Sequence, residues 1–428
     1  MRILLLGGGG REHAIAWALS RSPLVEEIHC APGNAGIAGL AIVHDIDLTD
    51  QKNGVDLAIR LSPDLVVVGP EAPLVAGMAD SLRERGFPVF GPGASGARLE
   101  GSKAFSKLFM TRHGIPTADF DICETVGQSE AALAKRSPPY IVKADGLAAG
   151  KGAFILGSLL EARDICINLL EKKFLGESGR KVIIEDFLPG EELTVLAVTD
   201  GSTFRLLPSS QDHKRAFDGD RGPNTGGMGA YSPVTWADET FLQRVSEQVV
   251  GPTVRGLASD SIPFRGVLYC GLMVDKSGGM RVLEYNVRMG DPETQVVLPA
   301  FGGDFAALAM SSANGRLDDI SPHSSTQFSV GVVMASGGYP ADYEKGFPIF
   351  GLEKTAAKDG VIVFHSGTAV DSAGKTVTSG GRVLTVVGTG CDIAAARNRA
   401  YSALEDIRFE GSFFRRDIAL GKGVDHLE

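Results

Sequence analysis

The chain has 428 residues, 43% of them hydrophobic, and a formal net charge of −10; that length predicts two to four domains rather than one. The acidic balance excludes a general nucleic-acid binder, which needs a basic face, but not phosphate ligands, because single loops can be positive on an acidic protein. Cys30, Cys123, Cys166, Cys270 and Cys391 make no C-x-x-C pair, and no apolar run reaches 18 residues; the expectation is a reduced, cytoplasmic protein with no zinc site and no membrane span.

Residues 2–6 read as a buried parallel strand and 11–21 as the helix after it, with Gly7 to Gly10 between. The apolar run Ile3 to Leu6 is too short for a signal peptide. A G-x-G-x-x-G pattern fits Gly7 and Gly9, but its third glycine falls on Glu12, and the next strand, near 26–31, ends in Ala31-Pro32-Gly33-Asn34 with no acid to hold a ribose. A nicotinamide cofactor is not expected. Open N–H groups at such a helix start still suit a phosphate or polar substrate.

Residues 64–69 predict another buried strand. Glu71 lies beyond its carboxyl end, where ligands of open α/β sheets sit; it reads either as a hydroxyl acceptor or as a solvated turn residue. A strand over 87–92 and a helix over 96–113, carrying Lys103 and Lys107, follow; Ile115-Pro116-Thr117 begins a new segment.

Residues 140–144 predict a short strand containing Lys143. Gly146, Gly150 and Gly152 then lie in a small-residue loop ending in Lys151. A loop without bulky side chains lets backbone N–H groups approach phosphate oxygens, with a lysine at each end. The alternative is a Gly/Ala hairpin with surface lysines. The Walker pattern fails, because the glycine spacing is wrong and no Ser or Thr follows the lysine.

A helix is expected over 158–173 and an apolar strand over 181–188, whose acidic end could offer backbone to an adenine edge and a carboxylate to a ribose. Residues 193–199 and 203–208 read as a hairpin. The stretch 210–233 reads as a polar loop without period, a substrate loop in preference to a linker. Residues 265–275 and 280–287 form a second hairpin, in which alternation puts Glu284 and Asn286 on one face. Two hard oxygen donors suit Mg²⁺ held between protein and phosphates; the alternative is an exposed hairpin face. Arg288, Asp291 and Glu293 crowd the turn beyond. From about 326, β-like runs (328–334, 361–365, 382–387) precede a helix over 392–406, and Ser379-Gly380-Gly381-Arg382 is an anion-friendly turn beside a guanidinium.

Nine runs carry a resemblance over nearly the whole chain: GGGGREHA (7–14), VVGPEAPL (67–74), EGSKAFSK (100–107), IPTA (115–118), KADGLAAGKG (143–152), SQDHKR (210–215), GPNTGGMGAYSP (222–233), EYNVRMGDPETQ (284–295) and SGGRVL (379–384). The sequence resembles the phosphoribosylamine–glycine ligase (glycinamide ribonucleotide synthetase) family of ATP-grasp enzymes in purine biosynthesis. The resemblance implies a multidomain α/β and α+β protein with the ATP-grasp fold. It implies an N-terminal parallel α/β substrate domain (1–115), a mobile lid (116–190), a central ATP-grasp domain (191–325) and a C-terminal β-rich domain (326–428).

The same resemblance implies roles. Lys103 and Lys143 contact the ATP phosphates, and Gly146, Gly150, Lys151 and Gly152 cover them. Glu185, Asp186, Phe187 and Leu188 meet the adenine and Glu192 the ribose. Glu284 and Asn286 hold Mg²⁺ or Mn²⁺. Arg288 stabilises the transferring phosphoryl group. Asp212, His213 and Lys214 border the glycine and amine site. Glu71 and Asp291 hold ribose hydroxyls or the amine. Gly380, Gly381 and Arg382 bind the sugar phosphate, helped by Lys354 and the amides near Gly10, Arg11 and Glu12. Arg288, Asp291 and Lys214 are the expected catalytic set.

The implied reaction joins glycine to 5-phosphoribosylamine through a glycyl phosphate, with ATP as co-substrate. No nucleic acid or membrane partner is expected, and the state is monomer or weak dimer. The alternatives are another ATP-grasp carboxylate–amine ligase, a formate-using transformylase, or a nucleotide-binding module without turnover.

Overall fold

The computed structural model describes residues 1–148, 152–319 and 327–421. The first unit is a parallel sheet. β1 (Arg2–Gly7) lies at its centre between β2 (Glu27–Pro32) and β4 (Leu65–Val68), with β3 (Ile42–Val43) and β5 (Val89–Phe90) at the edges. Helices α1 (Gly10–Ser20) and α2 (Gln51–Leu61) serve as crossovers, and α3 (Glu71–Val75) and α4 (Met78–Arg83) follow β4. Ile3 to Leu6 are all fully buried. Leu4 and Leu6 pack into the core on one face with Val66 and Val68, whereas Ile3 and Leu5 pack on the other with Ala14 and Ile15. A strand covered on both faces is apolar throughout rather than alternating. Leu5→Ala should therefore cost about 2–5 kcal/mol in denaturant unfolding; a loss below about 1 kcal/mol would contradict a central position.

At the turn after β1, Gly8 has no room for a side chain: a Cβ there would stand 2.4 Å from the Gly33 carbonyl oxygen. The strand expected over 87–92 is only two residues long, an edge strand. The single helix expected over 96–113 is two, α5 (Ala94–Gly101) and α6 (Lys103–Arg112). Ser102 divides them in extended backbone, and its hydroxyl accepts the Phe105 N–H, as an N-cap does.

The second unit is an antiparallel sheet of β6 (Phe120–Cys123), β7 (Tyr140–Ala144), β8 (Ala153–Leu156) and β9 (Val182–Glu185), in the order β6-β9-β7-β8. Helices α7 (Val126–Leu133) and α8 (Leu159–Leu170) complete it. Leu133, Val142, Cys166, Val182 and Ile184 give it a core of its own. Ser158 and Glu161 form a capping box that starts α8. α8 ends three residues before the expected 173, and β9 stops at Glu185 rather than 188.

β10 (Glu191–Thr199) and β11 (Phe204–Leu206) form the expected hairpin. The stretch 210–233 is not the period-free loop expected. It folds as β12 (Gln211–Asp212), a β13 (Arg215–Phe217) and β14 (Arg221–Asn224) ribbon, and β15 (Gly229–Ser232). Ala216, Met228, Ala230 and Tyr231 are buried. These strands are too short to show a period, and β15 is held by a partner a hundred residues away, β18 (Phe328–Ala335).

β16 (Gly266–Val274) and β17 (Met280–Asn286) complete a four-stranded antiparallel sheet in the order β11-β10-β16-β17. In the C-terminal region β19 (Val361–His365) and β22 (Arg382–Gly390) join β18, and the sheet runs β12-β15-β18-β22-β19. β20 (Thr368–Val370) and β21 (Thr376–Thr378) make a separate ribbon, and the helix Ile393–Leu404 packs its buried Ala396 and Ala400 against β22. Among the described residues, no single helix is long and apolar enough to cross a membrane.

Candidate active site

A cleft of about 500 Å³ lies where the three regions meet. Its floor is the end of β17. The register between β16 and β17 slips near Leu283, since Gly271 faces Glu284 while Leu272 faces Val282. A bulge residue is left out of the ladder, and the Leu283 carbonyl instead accepts Lys143 Nζ at 3.2 Å. Glu284 and Asn286 both line the cleft, as alternation predicts.

Lysines from two units converge on this floor. Lys143 of β7 pairs with Glu185 at 3.1 Å, and Lys107 of α6 pairs with the same oxygen at 3.2 Å. Lys103, the first residue of α6, reaches the Gly146 carbonyl at 3.4 Å. Burial lowers Lys103, opposed by Glu284 nearby, and brings Lys107 down to about 8 against the pull of Glu185. Burial would raise Glu284, but Lys214, Lys143 and Lys103 outweigh it and hold the carboxyl below its usual range.

Arg288 stands at the junction with the N-terminal sheet. Its guanidinium meets Glu100 at 2.9 Å and Glu71 at 3.3 Å, and donates to Asn286 Oδ1 at 3.2 Å. Burial disfavours its charge, yet Glu100 and Glu71 leave it more firmly protonated than a free arginine. Glu100 also accepts the Val287 N–H at 2.8 Å, so one buried carboxylate fixes both the backbone and the side chain at this point. Arg11 bonds Glu12 at 2.6 Å and approaches Glu71 at 3.8 Å. Asp291 holds Arg382 at 3.0 Å and accepts from Gln295 at 2.7 Å; Arg382 also donates to the carbonyls of Gly226 and Asp291.

A third group sits beside β12. Lys214 pairs with Glu192 at 2.5 Å. Burial would lower Lys214, but Glu192 and Asp212 hold it well above the ordinary lysine range. Desolvation pushes Asp212 up to about 8, against the opposing charge of Lys214. Tyr269 donates to Glu293 at 2.8 Å and shares a 3.0 Å hydrogen bond with Thr194, and burial raises Glu293.

The cleft thus brings together Arg11, Glu71, Lys103, Lys143, Gly152, Glu185, Glu192, Asp212, Lys214, Glu284, Asn286, Arg288, Asp291 and Arg382 among the residues singled out from sequence. Others stand behind its wall. Gly10 packs on Ser366 and Gln295, Glu12 lies under Gly7 and Gly69, and Gly146 packs on Ser178. His213 is next to Tyr231; Gly380 lies on Gly367 and Gly381 on Tyr339. Asp186 turns away to Arg136, Phe187 is exposed and Leu188 is half-buried, so of the adenine run only Glu185 lines the cleft. Lys354 is not brought to the site: it is exposed and paired with Asp406 at 2.7 Å. Gly150 and Lys151 lie outside the described residues.

Sequence reasoning missed Glu100 and Tyr269 and left Lys107 and Glu293 without a role. Glu100 had a signal, an acid within the EGSKAFSK run. Tyr269 had none, because a tyrosine in an apolar strand reads as core.

The residues fit a divalent cation that is also held by phosphates. Glu284 and Asn286 offer hard oxygens two residues apart on one strand face, and among the described residues no cluster of three or more His, Cys, Asp or Glu makes a self-sufficient cage.

Comparison with known proteins agrees along the whole chain. The model of the phosphoribosylglycinamide synthetase N domain matches residues 1–100, that of its ATP-grasp (A) domain 101–294, and that of its C domain 329–421. A phosphoribosylamine–glycine ligase of Streptomyces coelicolor is 48% identical, covering 98% of this chain and 99% of that protein. One of Escherichia coli O157:H7 is 45% identical, covering 98% of each. The solved phosphoribosylamine–glycine ligase of Thermotoga maritima superposes with a TM-score of 0.86 at 38% identity, covering 98% of this chain and all of that one. A biotin carboxylase domain from Hydrogenobacter thermophilus, at 17% identity and a TM-score of 0.75, shares the fold over 96% of this chain and 91% of that one. With an ATP-grasp fold, a parallel N-terminal sheet and these full-length matches, the chain belongs to the phosphoribosylglycinamide synthetase family.

Proposed function

We propose that this protein ligates glycine to 5-phosphoribosylamine, converting ATP to ADP and phosphate and giving glycinamide ribonucleotide for purine synthesis. One observation carries the reading: a single cleft collects the lysine pair Lys103 and Lys143, the oxygen pair Glu284 and Asn286, and the guanidinium of Arg288. The relatives' names supply the substrates.

The carboxylate oxygen of glycine attacks the γ-phosphorus, the bond to the β-phosphate oxygen breaks, and ADP leaves. The sugar amine then attacks the glycyl carbonyl carbon, phosphate departs with the former carboxylate oxygen, and the nitrogen gives up a proton. No protein nucleophile is required; positioning and charge stabilisation do the work. Lys103 and Lys143 meet phosphate oxygens, and Arg288 faces the transferring group. The Lys and Arg that line the cleft are matched by Asp and Glu, so they leave much of a triphosphate's charge unneutralised. Mg²⁺ or Mn²⁺ held by Glu284 and Asn286 would offset that charge and polarise the phosphoryl oxygens.

Glu185 and Glu192 border the nucleoside, and Asp212 and Lys214 the glycine and amine. Glu71 and Asp291 take sugar hydroxyls, and the remaining donors of Arg382 take the sugar phosphate. We divide the chain at 1–115, 116–190, 191–325 and 326–428, with the second segment a lid that excludes water from the acyl phosphate. A cytoplasmic enzyme, monomeric or weakly dimeric, fits this role.

The test is substrate dependence. Steady-state ADP formation should require glycine and phosphoribosylamine together; ADP formation with formate in place of glycine would instead indicate a transformylase. A pH profile addresses Asp212. Below about 8 its carboxyl is protonated and carries no charge to meet an ammonium group. Glycine kcat/KM should therefore rise as pH climbs through that value, and Asp212→Asn should flatten the rise at the low level. An unchanged profile in the variant would remove Asp212 from the amine site.

A further inference from the structure

The N-terminus of α6 is capped from another part of the chain. A helix leaves its first four N–H groups without partners inside it. Here Ser102 N–H donates to the Arg98 carbonyl at 3.0 Å and Phe105 N–H to the Ser102 hydroxyl at 3.1 Å. The other two go to Asp145, which follows β7 at the root of the glycine-rich loop. Lys103 N–H donates to the Asp145 carbonyl at 3.0 Å, and Ala104 N–H donates to Asp145 Oδ1 at 2.7 Å. The Ser102 hydroxyl donates to the same carboxylate oxygen at 3.0 Å.

Asp145 is fixed on its other side as well. Its N–H donates to the Lys181 carbonyl at 3.1 Å, Gly146 N–H donates to the Ser178 carbonyl at 3.3 Å, and Ser178 Oγ donates to the Leu147 carbonyl at 2.7 Å. The loop root is thus stitched to the turn before β9. Through Asp145 it is also stitched to the helix whose first residue is Lys103. A carboxylate at a helix N-terminus gains both hydrogen bonds and the favourable end of the dipole.

We propose that Asp145 is a positioning residue: by capping α6 at Lys103 and Ala104 it sets where the Lys103 ammonium group stands in the cleft to meet the phosphates. The proposal rests on the reading of Lys103 as a phosphate contact. It explains why the chain spends an aspartate on a helix that already has a serine cap.

The test is a cycle of full-length variants, with MgATP binding measured by calorimetry and KM measured for ATP and glycine separately. Asp145→Ala should weaken MgATP by about tenfold, the size of a lost cap, and leave the glycine KM unchanged. Asp145→Asn, which can still accept the Ala104 N–H, should recover most of the loss. Asp145→Ser, too short to reach both donors, is measured alongside and should behave as the alanine variant does, so poor folding of one variant does not decide the matter. Once Lys103→Ala is present, Asp145→Ala should cost nothing further. Full additivity of the two losses, or an equal rise in the KM for ATP and glycine, would overturn the proposal while leaving Lys103 in place. An unchanged MgATP affinity in Lys103→Ala would instead overturn the phosphate role of Lys103 and the positioning role with it.

Discussion

Arg288→Ala should abolish ligation while ATP still binds. The expected fall in kcat is about 100-fold or more, the usual cost of removing one preorganised donor to a transition-state charge. Arg288 is held at both ends of its guanidinium by Glu100 and Glu71, so its geometry is set before substrate arrives. It also stands 3.2 Å from Asn286 Oδ1, beside the oxygen pair proposed to hold the cation with the phosphates. Loss of turnover should therefore exceed loss of nucleotide affinity. Equilibrium nucleotide binding and steady-state kinetics separate the two. Normal turnover, or equal loss of binding and turnover, would contradict the assignment.

Glu284→Gln should be as damaging by a different route. Glu284 is the carboxylate among Lys103, Lys143 and Lys214, and their charges keep it ionised despite burial. The amide keeps the shape and removes the charge. The proposed cation site then has two neutral donors, while Lys103, Lys143 and Lys214 lose one nearby negative charge. We expect kcat to fall by about 100- to 1,000-fold and Mn²⁺ binding in the presence of ADP, followed by electron paramagnetic resonance, to weaken sharply. Undiminished Mn²⁺ affinity would move the cation elsewhere in the cleft.

Local features of the fold were legible. The run Ile3 to Leu6 announces a strand buried on both faces, and Tyr140–Ala144 and the β16–β17 hairpin are evident from pattern and turn residues. Features created by distant pairing were not. β15 exists because β18 lies beside it, and β12 because β15 does, so 210–233 reads as a loop until both partners are placed. The break between α5 and α6 is one serine in extended backbone, and that conformation is held partly by Asp145, 43 residues on.

The site divides in the same way. Glu284, Asn286 and Arg288 share one strand and the turn after it, so spacing alone places them together. Glu100 meets Arg288 from 188 residues away, and Tyr269 of β16 meets Glu293 in the turn after β17; neither pairing has a local signature. Lys354 shows the converse. The resemblance offered it as a helper for the sugar phosphate, yet in space it faces solvent and pairs with Asp406.

The central claim is that glycine is activated as an acyl phosphate before the amine attacks. Glycine labelled with ¹⁸O in its carboxylate, incubated with ATP and phosphoribosylamine, reports on this directly by mass analysis of the released phosphate. The mechanism predicts one labelled oxygen per phosphate formed. Phosphate free of label, with ligation proceeding normally, would contradict it.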